Sequence, residues 1–166
     1  MAATIILVLK LSSLRDIRVL WLTLLGLGFI KPAPGTVGSA VAVVLWWFFF
    51  SSFQVLTQFV FLLIYILVSI WLCRLLMQAY DLHDPGEIVA DEFAGMWLAL
   101  IFVPKTIWFV ISAFLLFRFL DIVKPFFIGW VDRNVRGGVG VMLDDLLAGM
   151  VTALILVLVH YLLSIS

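Results

Sequence analysis

Long apolar runs separated by short polar islands organise the whole chain. From Pro32 to Cys73 there is no charged residue, a length that fits two membrane crossings with a tight connection near residues 51–54. We predict helices at about Val37–Phe50 and Val55–Met77. The pattern therefore predicts an all-α, polytopic integral membrane helical bundle.

The second half of the chain predicts a short helical hairpin followed by one long helix. The apolar run from Phe93 to Val103 has eleven residues. At about 1.5 Å per residue it is too short to cross a hydrocarbon core of ~30 Å. It ends at Pro104, and the run from Thr106 to Leu120 returns. The last predicted helix, about Asp145 to Leu163, is long enough to span.

Basic residues distinguish the two faces of this bundle. Counting crossings places residues 31–36, 77–92 and 120–144 on one side. The cations that belong to that side are Lys31, Arg74, Arg118, Lys124, Arg133 and Arg136. The opposite face has little beyond Lys105, so the positive-inside rule predicts a cytoplasm-facing polar site. The segment Ile17–Ile30, behind Arg15 and Arg18, favours an interfacial or partly inserted helix.

Composition strengthens the membrane prediction. The 166 residues are 66% hydrophobic and 12% charged, and the mean hydropathy is +1.28. That leaves too little polar surface for a soluble globule, and one membrane-embedded domain over residues 1–166 is expected. The formal net charge is zero, which argues against a nucleic-acid partner.

The acidic residues point to a cation site. Nine of the ten fall in two islands, Asp81 to Glu92 and Asp121 to Asp145. A carboxylate near hydrocarbon costs roughly 2.5–3.5 kcal/mol, so a cluster of them requires water, partner charges or metal ions. Five acids within residues 81–92 exceed what structural pairing needs, because the only cation near them in sequence is Arg74.

A short repeated motif occurs in both acidic islands. The sequences Asp91-Glu-Phe-Ala-Gly-Met96 and Asp145-Leu-Leu-Ala-Gly-Met150 share Asp-x-x-Ala-Gly-Met, each before an apolar run. Small residues at the same offset permit close helix approach. We therefore expect Asp91 and Asp145 to meet at the membrane surface.

Some of these acids also fit a helix start. Asp84 as N-cap, Pro85 at the first position and Glu87 at the third would begin a helix. In that frame Asp91 and Glu92 lie more than a turn inside the helix, where capping does not explain them.

The pair Asp144-Asp145 precedes the last predicted helix, where one aspartate suffices as a cap. Ligands that are all oxygen select a hard cation, and Mg²⁺ fits best because one or two carboxylates plus water and phosphate commonly hold it.

Two other segments could bind a phosphate. Thr36 and Ser39 open an apolar helix after a proline turn, with Lys31 nearby, although an ordinary threonine N-cap explains Thr36 equally well. No nucleotide-binding P-loop is present, since its Gly-Lys-Ser/Thr ending is missing. Arg118 and Lys124 flank Asp121 and would supply two cations and one more carboxylate.

Four ordered motifs carry a resemblance to a known family. They are Gly-Phe-x-x-x-Ala-Pro-Gly-Thr-x-Gly-Ser at 28–39, Asp-Pro-x-x-Ile-Val-x-Asp-Glu-x-x-Gly at 84–95, Arg-x-x-Asp-x-x-Lys-Pro at 118–125 and Gly-Gly-x-Gly-x-Met-x-Asp-Asp-x-x-Ala-Gly at 137–149. Together they resemble the phosphatidylglycerophosphatase A family.

The resemblance implies a bacterial inner-membrane enzyme that uses Mg²⁺ to hydrolyse phosphatidylglycerophosphate, its lipid partner in the bilayer, to phosphatidylglycerol. The implied metal ligands are Asp84, Glu87, Asp91, Glu92, Asp144 and Asp145. The implied catalytic residues are Asp91, Glu92, Asp121 and Asp145. The implied phosphate-binding residues are Lys31, Thr36, Ser39, Arg118 and Lys124.

Two alternatives use the same acidic cluster. A cation transporter would use the acids as its ion path, but they group at one membrane surface instead of near helix centres. A lipid phosphotransferase would use similar Mg²⁺ chemistry, but the spaced aspartate motif of the CDP-alcohol enzymes is absent.

Overall fold

A computed structural model describes residues 11–80 and 85–165, and all regular elements in these ranges are helices. The α-helices are α1 (Ile17–Leu22), α2 (Pro34–Leu45), α3 (Val55–Tyr80), α4 (Ala90–Ile101), α5 (Ile107–Val123), α6 (Phe126–Asn134) and α7 (Gly137–Ile165). Short 3-10 helices lie at Leu11–Arg15 and Leu27–Phe29, and a π-helical turn, Trp46–Phe50, extends α2. The predicted all-α class is confirmed.

The start of α2 differs from the prediction. Ala33 is the N-cap and Pro34 the first helical residue, because a proline has no N–H to lose there and its fixed φ suits the first turn. Thr36 therefore lies inside the first turn, and its interpretation as an N-cap is wrong.

The predicted helix start at Asp84 to Glu87 is also wrong. Residues 85–89 form a turn in which the Ile88 N–H donates to the Pro85 carbonyl, and α4 begins only at Ala90. The Val89 N–H donates to the Leu22 carbonyl at 2.9 Å, which ties this turn to α1. Ile88 and Val89 are buried, so tertiary packing outweighs the local capping signal. Asp91 and Glu92 consequently lie in the first turn of α4.

The last helix begins eight residues earlier than predicted. It starts at Gly137, whose φ of +76° suits glycine. Asp144 and Asp145 are therefore not at a helix start but more than two turns inside α7, where neither can cap it.

The predicted hairpin is confirmed as α4, a turn at residues 102–106, and α5. Helix α4 is the centre of the bundle: nine of its twelve residues are buried. It packs most extensively against α7 and also contacts α2, α3 and α5. A helix this short cannot span a membrane by itself, and its neighbours enclose it instead.

Two glycines set the distance between α4 and α7. A Cβ added at Gly95 would overlap the Asp145 carbonyl oxygen, and one added at Gly149 would overlap the Gly95 carbonyl oxygen. The backbones of the two helices are therefore in direct contact. This is the close approach that the repeated Ala-Gly predicted.

Helices α3 and α7 are long and apolar enough to cross a membrane, judged by length and composition. Many of their outward side chains are large, apolar and exposed, among them Leu56, Leu67, Leu154 and Leu162. Within residues 17–30 the α-helix covers only Ile17–Leu22. The segment predicted as a polar loop at 120–144 contains α6.

Candidate metal and phosphate site

Three carboxylates converge where α4 and α7 come together. Asp91 and Glu92 come from the first turn of α4, and Asp145 comes from α7. One oxygen from each lies within 4.8 Å of the others. The glycine contact between the helices explains this convergence, since it leaves no side chain between their backbones. The predicted meeting of Asp91 and Asp145 is confirmed.

These carboxylates open onto a cavity of about 480 Å³. Its polar lining includes the further acids Asp121, Asp132 and Asp144 and the cations Lys124 and Arg136, and Met77, Ile88 and Val141 form an apolar side. The size lies within the usual range for small-molecule sites. The lining of the cavity thus combines several carboxylates with cations and with apolar side chains that could contact a lipid.

Arg118 connects the carboxylates to α2. Its Nη1 donates to Asp121 Oδ2 at 2.5 Å and to Ser39 Oγ at 3.4 Å, and it lies 4.0 Å from Glu92 Oε1. Ser39 is fully buried and donates its own hydroxyl to the Gly35 carbonyl. The guanidinium is therefore held beside the acidic cluster by α5 and α2 together.

The first turn of α2 touches the site directly. A Cβ at Gly35 would overlap Glu92 Oε1 and would lie 3.1 Å from Arg118 Nη1. Only glycine lets the α2 backbone come this close. The N-terminus of α2, with its free N–H groups and partial positive charge, therefore faces a region where an anion would also meet Arg118.

Lys124 is one of the cations that line the cavity. It ends α5 in a left-handed conformation, and its Nζ donates to Asp132 and, at 2.5 Å, to Asp144. Burial alone would lower the pKa of Lys124, but the hydrogen bonds to these two carboxylates outweigh it and raise the pKa. The ammonium of Lys124 therefore stays charged at neutral pH.

The donor set fits a hard divalent cation. Glu92 Oε2 and Asp144 Oδ1 are buried without a hydrogen-bond partner within the described part of the chain. Buried carboxylate oxygens without donors are costly, and a metal ion would satisfy them. Because Asp91, Glu92 and Asp145 offer only oxygen, Mg²⁺ suits them better than zinc does.

The structure does not bring every predicted residue to the cavity. Asp84 lies outside the described residues. Glu87 is buried, but it does not line the cavity, and its carbonyl packs against Gly28. Lys31 is exposed in the turn before α2, and neither it nor Thr36 lines the cavity. Ser39 and Arg118 do not line it either, although Arg118 lies 4.0 Å from Glu92. The roles of all six residues stay predictions.

Two charged residues that line the cavity were not predicted as site residues. Asp132 reaches Lys124 because α6 folds back after Pro125, and Arg136 follows α6 directly. A Cβ at Gly129 would overlap the Lys124 carbonyl oxygen, so this glycine allows the fold-back. The sequence signal was the pairing of Pro125 with Gly129, which marks a tight helix-to-helix turn.

The sequence matches the family described as Phosphatidylglycerophosphatase A over residues 20–160. It is 41% identical over 133 residues to phosphatidylglycerophosphatase A of Escherichia coli K12, covering 79% of this chain and 76% of the relative. It is 36% identical over 153 residues to the Haemophilus influenzae protein of the same name, covering 92% and 93%.

A third relative, from Bacteroides thetaiotaomicron, is named provisionally as a phosphatidylinositol-3-phosphatase. It is 36% identical over 143 residues, covering 82% of this chain and 89% of the relative. No solved structure matches the chain.

Proposed function

The chain belongs to the phosphatidylglycerophosphatase A family, and we propose that it uses the Asp91–Glu92–Asp145 cluster to hydrolyse phosphatidylglycerophosphate. The products are phosphatidylglycerol and inorganic phosphate. The observation that carries the site assignment is the convergence of three carboxylate oxygens within 4.8 Å, on a cavity that also holds cations. A membrane location accords with the two apolar helices and with the family.

We propose Mg²⁺ as the cofactor, held by Asp91, Glu92 and Asp145, with Asp144 as a further ligand. When bound, the ion would neutralise phosphate charge and lower the pKa of a coordinated water. The unpartnered oxygens Glu92 Oε2 and Asp144 Oδ1 support this proposal.

The other side chains have separate roles in the proposed reaction. Arg118, beside Ser39 and the start of α2, would bind the terminal phosphate of the lipid as a charged hydrogen-bond donor. Asp121 orients this guanidinium through the 2.5 Å hydrogen bond. Lys124 holds Asp132 and Asp144 in place from the other side. Residues in these positions would hold the phosphate at a fixed place relative to the carboxylates. Such positioning is a main source of catalysis in phosphoryl-transfer enzymes.

We propose that the protein crosses the bacterial inner membrane several times with this cavity on the cytoplasmic side. The exposed cations Arg133 and Arg136 lie at the cavity end of the bundle. Such an excess of cations is typical of cytoplasmic loops. The acyl chains of the substrate would remain in the bilayer while the headgroup enters the cavity.

Hydrolysis in labelled water distinguishes this function from its alternatives. The bond between phosphorus and the glycerol oxygen breaks, the water oxygen joins phosphorus, and the glycerol oxygen takes up a proton. In ¹⁸O-water with Mg²⁺, purified protein should therefore release labelled phosphate from phosphatidylglycerophosphate and leave diacyl lipid. No alcohol or CDP-lipid acceptor should be required.

Other outcomes would contradict the proposal. Lipid product that forms only with an acceptor would establish phosphotransfer. Mg²⁺ flux in liposomes without phosphate release would establish transport. Equal phosphate release with and without Mg²⁺, after chelation, would remove the metal from the mechanism and leave the phosphatase activity in place.

A further inference from the structure

Helix α6 has two chemically different faces. Ile128 and Val131 are buried in the bundle, whereas Phe126, Phe127 and Trp130 are 95%, 62% and 52% exposed. The Phe127 and Trp130 rings stack with their centroids 5.9 Å apart. Three adjacent exposed aromatic residues on a nine-residue helix form a continuous apolar surface, which we call the aromatic face. Such a surface in water would be unfavourable.

The aromatic face is fixed relative to the cavity. Asp132 of α6 bonds to Lys124, which also bonds to Asp144 of α7. The backbone of α6 lies against the end of α5 at Gly129, where there is no space for a Cβ. A partner that binds the aromatic face is therefore also held at a fixed position relative to the cavity.

Neighbouring residues indicate what covers this face. The exposed apolar side chains of α5, Phe119, Ile122 and Val123, continue directly into Phe126. On the other side the exposed cations Arg133 and Arg136 follow. An apolar surface that changes into aromatic and then basic residues has the order found across a membrane–water interface. The cations would meet anionic lipid headgroups.

We propose that α6 lies in the cytoplasmic interface of the bilayer, with Phe126, Phe127 and Trp130 inserted among the lipids and Arg133 at headgroup level. This contact holds the cavity mouth at the depth of lipid phosphates. The helix is thus a lipid-docking surface, a role that goes beyond phosphate hydrolysis and does not depend on it.

Depth-dependent quenching tests the placement without any assay of activity. Single cysteines are introduced as Trp130→Cys and, as a comparison at the proposed headgroup level one turn further along the same helix, Arg133→Cys. Cys73 is fully buried, and unsubstituted protein reports any label it takes up. Each variant carries an environment-sensitive fluorophore and is reconstituted into phosphatidylcholine–phosphatidylglycerol vesicles. Part of the phosphatidylcholine is brominated near the ester end of its acyl chains.

We expect the label at position 130 to fluoresce at shorter wavelength and to lose more intensity to brominated lipid than the label at position 133. Equal quenching at the two positions, or none at 130, would overturn the proposal. A second copy of the chain on this face would give a label that is shielded from water but not quenched, with cross-linking between positions 130 of two chains. That result also overturns it.

Kinetics provide a second, independent measurement. In the double variant Phe127→Ser/Trp130→Ser, the apparent KM for substrate in vesicles should rise roughly 10-fold, since two interfacial aromatic side chains are lost. Turnover of a dispersed short-chain substrate should stay at the parental level, which also shows that the variant folds. Parental kinetics on vesicles would contradict a docking role, and loss of both activities would show that α6 acts in folding instead.

Discussion

At the scale of single residues, charge repulsion governs the site. Two unit charges about 4 Å apart repel by roughly 4 kcal/mol at an effective dielectric constant of ~20. Asp91, Glu92 and Asp145 have oxygens within 4.8 Å of one another, and the nearest guanidinium, that of Arg118, bonds to Asp121. Such a cluster requires a bound cation or protonation of some of its carboxyl groups. The proposed Mg²⁺ would supply the cation.

The first prediction concerns substitutions that remove these charges and keep the shape of each side chain. We expect Asp91→Asn, Glu92→Gln and Asp145→Asn each to lower turnover at least ~10²-fold, because each removes a ligand charge from the metal site. Phosphate release measures turnover, and circular dichroism establishes that each variant folds. Asp16→Asn, an ion-paired acid outside the cavity, is the control and should keep parental turnover. Near-parental activity in all three site variants would refute the assignment.

The second prediction concerns selectivity between lipids. Arg136 lines the cavity, and within the described residues no carboxylate lies within ion-pair distance of it. It is therefore free to bind the second phosphate of phosphatidylglycerophosphate, the diester. Since a charged hydrogen bond contributes about 1.5–3 kcal/mol, Arg136→Gln should lower kcat/KM for that lipid roughly 10-fold or more.

Phosphatidic acid, which has a single phosphate, is the comparison substrate for this variant. The kcat/KM of the variant for phosphatidic acid should change little, so the ratio of the kcat/KM for phosphatidylglycerophosphate to that for phosphatidic acid should fall. Arg133→Gln, which removes an exposed cation that does not line the cavity, should leave the preference unchanged. An equal loss of kcat/KM for both lipids would show that Arg136 does not bind the second phosphate.

At the scale of helices, the crossing of α4 and α7 builds the site. We expect Gly95→Ala to separate the two helices, because its Cβ would overlap the Asp145 carbonyl oxygen and lie 2.8 Å from the Phe117 ring. Overpacking of this kind costs about 1–3 kcal/mol. Both the midpoint of thermal unfolding and the activity should fall. Gly86→Ala, whose Cβ meets no atom within 4 Å, should resemble the parent in both measurements.

Helix boundaries explain how far sequence alone could go. The spacing of the Ala-Gly pairs predicted the meeting of Asp91 and Asp145, because small residues at equal offsets act through local helix geometry. The start of α4 could not be predicted, since burial of Ile88 and Val89 and the hydrogen bond from the Val89 N–H to the Leu22 carbonyl override the capping signal. The amphipathic α6 was not predicted, because it lies in a segment that its charged residues marked as a polar loop.

The second helix-scale prediction concerns pH and the docking of α1. Asp16 caps α1 and pairs with Arg18, which bonds to the Leu75 carbonyl of α3. The hydrogen bond from Arg18 lowers the pKa of Asp16. The Asp16 carboxylate therefore stabilises the folded protein at pH values above its pKa in the unfolded chain, about 3.9. This contribution is lost as the pH falls through the lower pKa of Asp16 in the folded protein.

We expect Asp16→Asn to lower the stability at neutral pH by at most about 1 kcal/mol, as for other partly exposed pairs. The difference between variant and parent should shrink when the pH is lowered below ~4. Thermal unfolding in detergent across this pH range measures it. A difference that persists unchanged in acid would show that the Asp16 charge is not its cause.

At the scale of the whole molecule, the two ends of the bundle face different compartments in the proposed orientation. Lys105 Nζ lies 5.3 Å from the Trp47 ring centroid, and the Phe59 and Phe102 rings are also 5.3 Å apart. The turns at residues 51–54 and 102–106 therefore lie together at one end. The carboxylate cavity, α6 and the start of α7 lie at the other.

The corresponding prediction is a labelling pattern. Cysteines introduced at Gln54 and Lys105 should react with an impermeant maleimide only from the periplasmic side, and one at Arg133 only from the cytoplasmic side. All three positions are exposed, and unsubstituted protein with its buried Cys73 measures the background. Labelling of positions 54 and 133 from the same side would rule out the proposed orientation.

The central, enclosed position of α4 has a consequence for how the protein is made. Its most extensive partner, α7, follows α4, α5 and α6 along the chain and leaves the ribosome after them. Until α7 is made, Asp91 and Glu92 lack Asp145, and the α4 backbone at Gly95 lacks its contact with α7. A chain interrupted before α7 therefore lacks part of the proposed site.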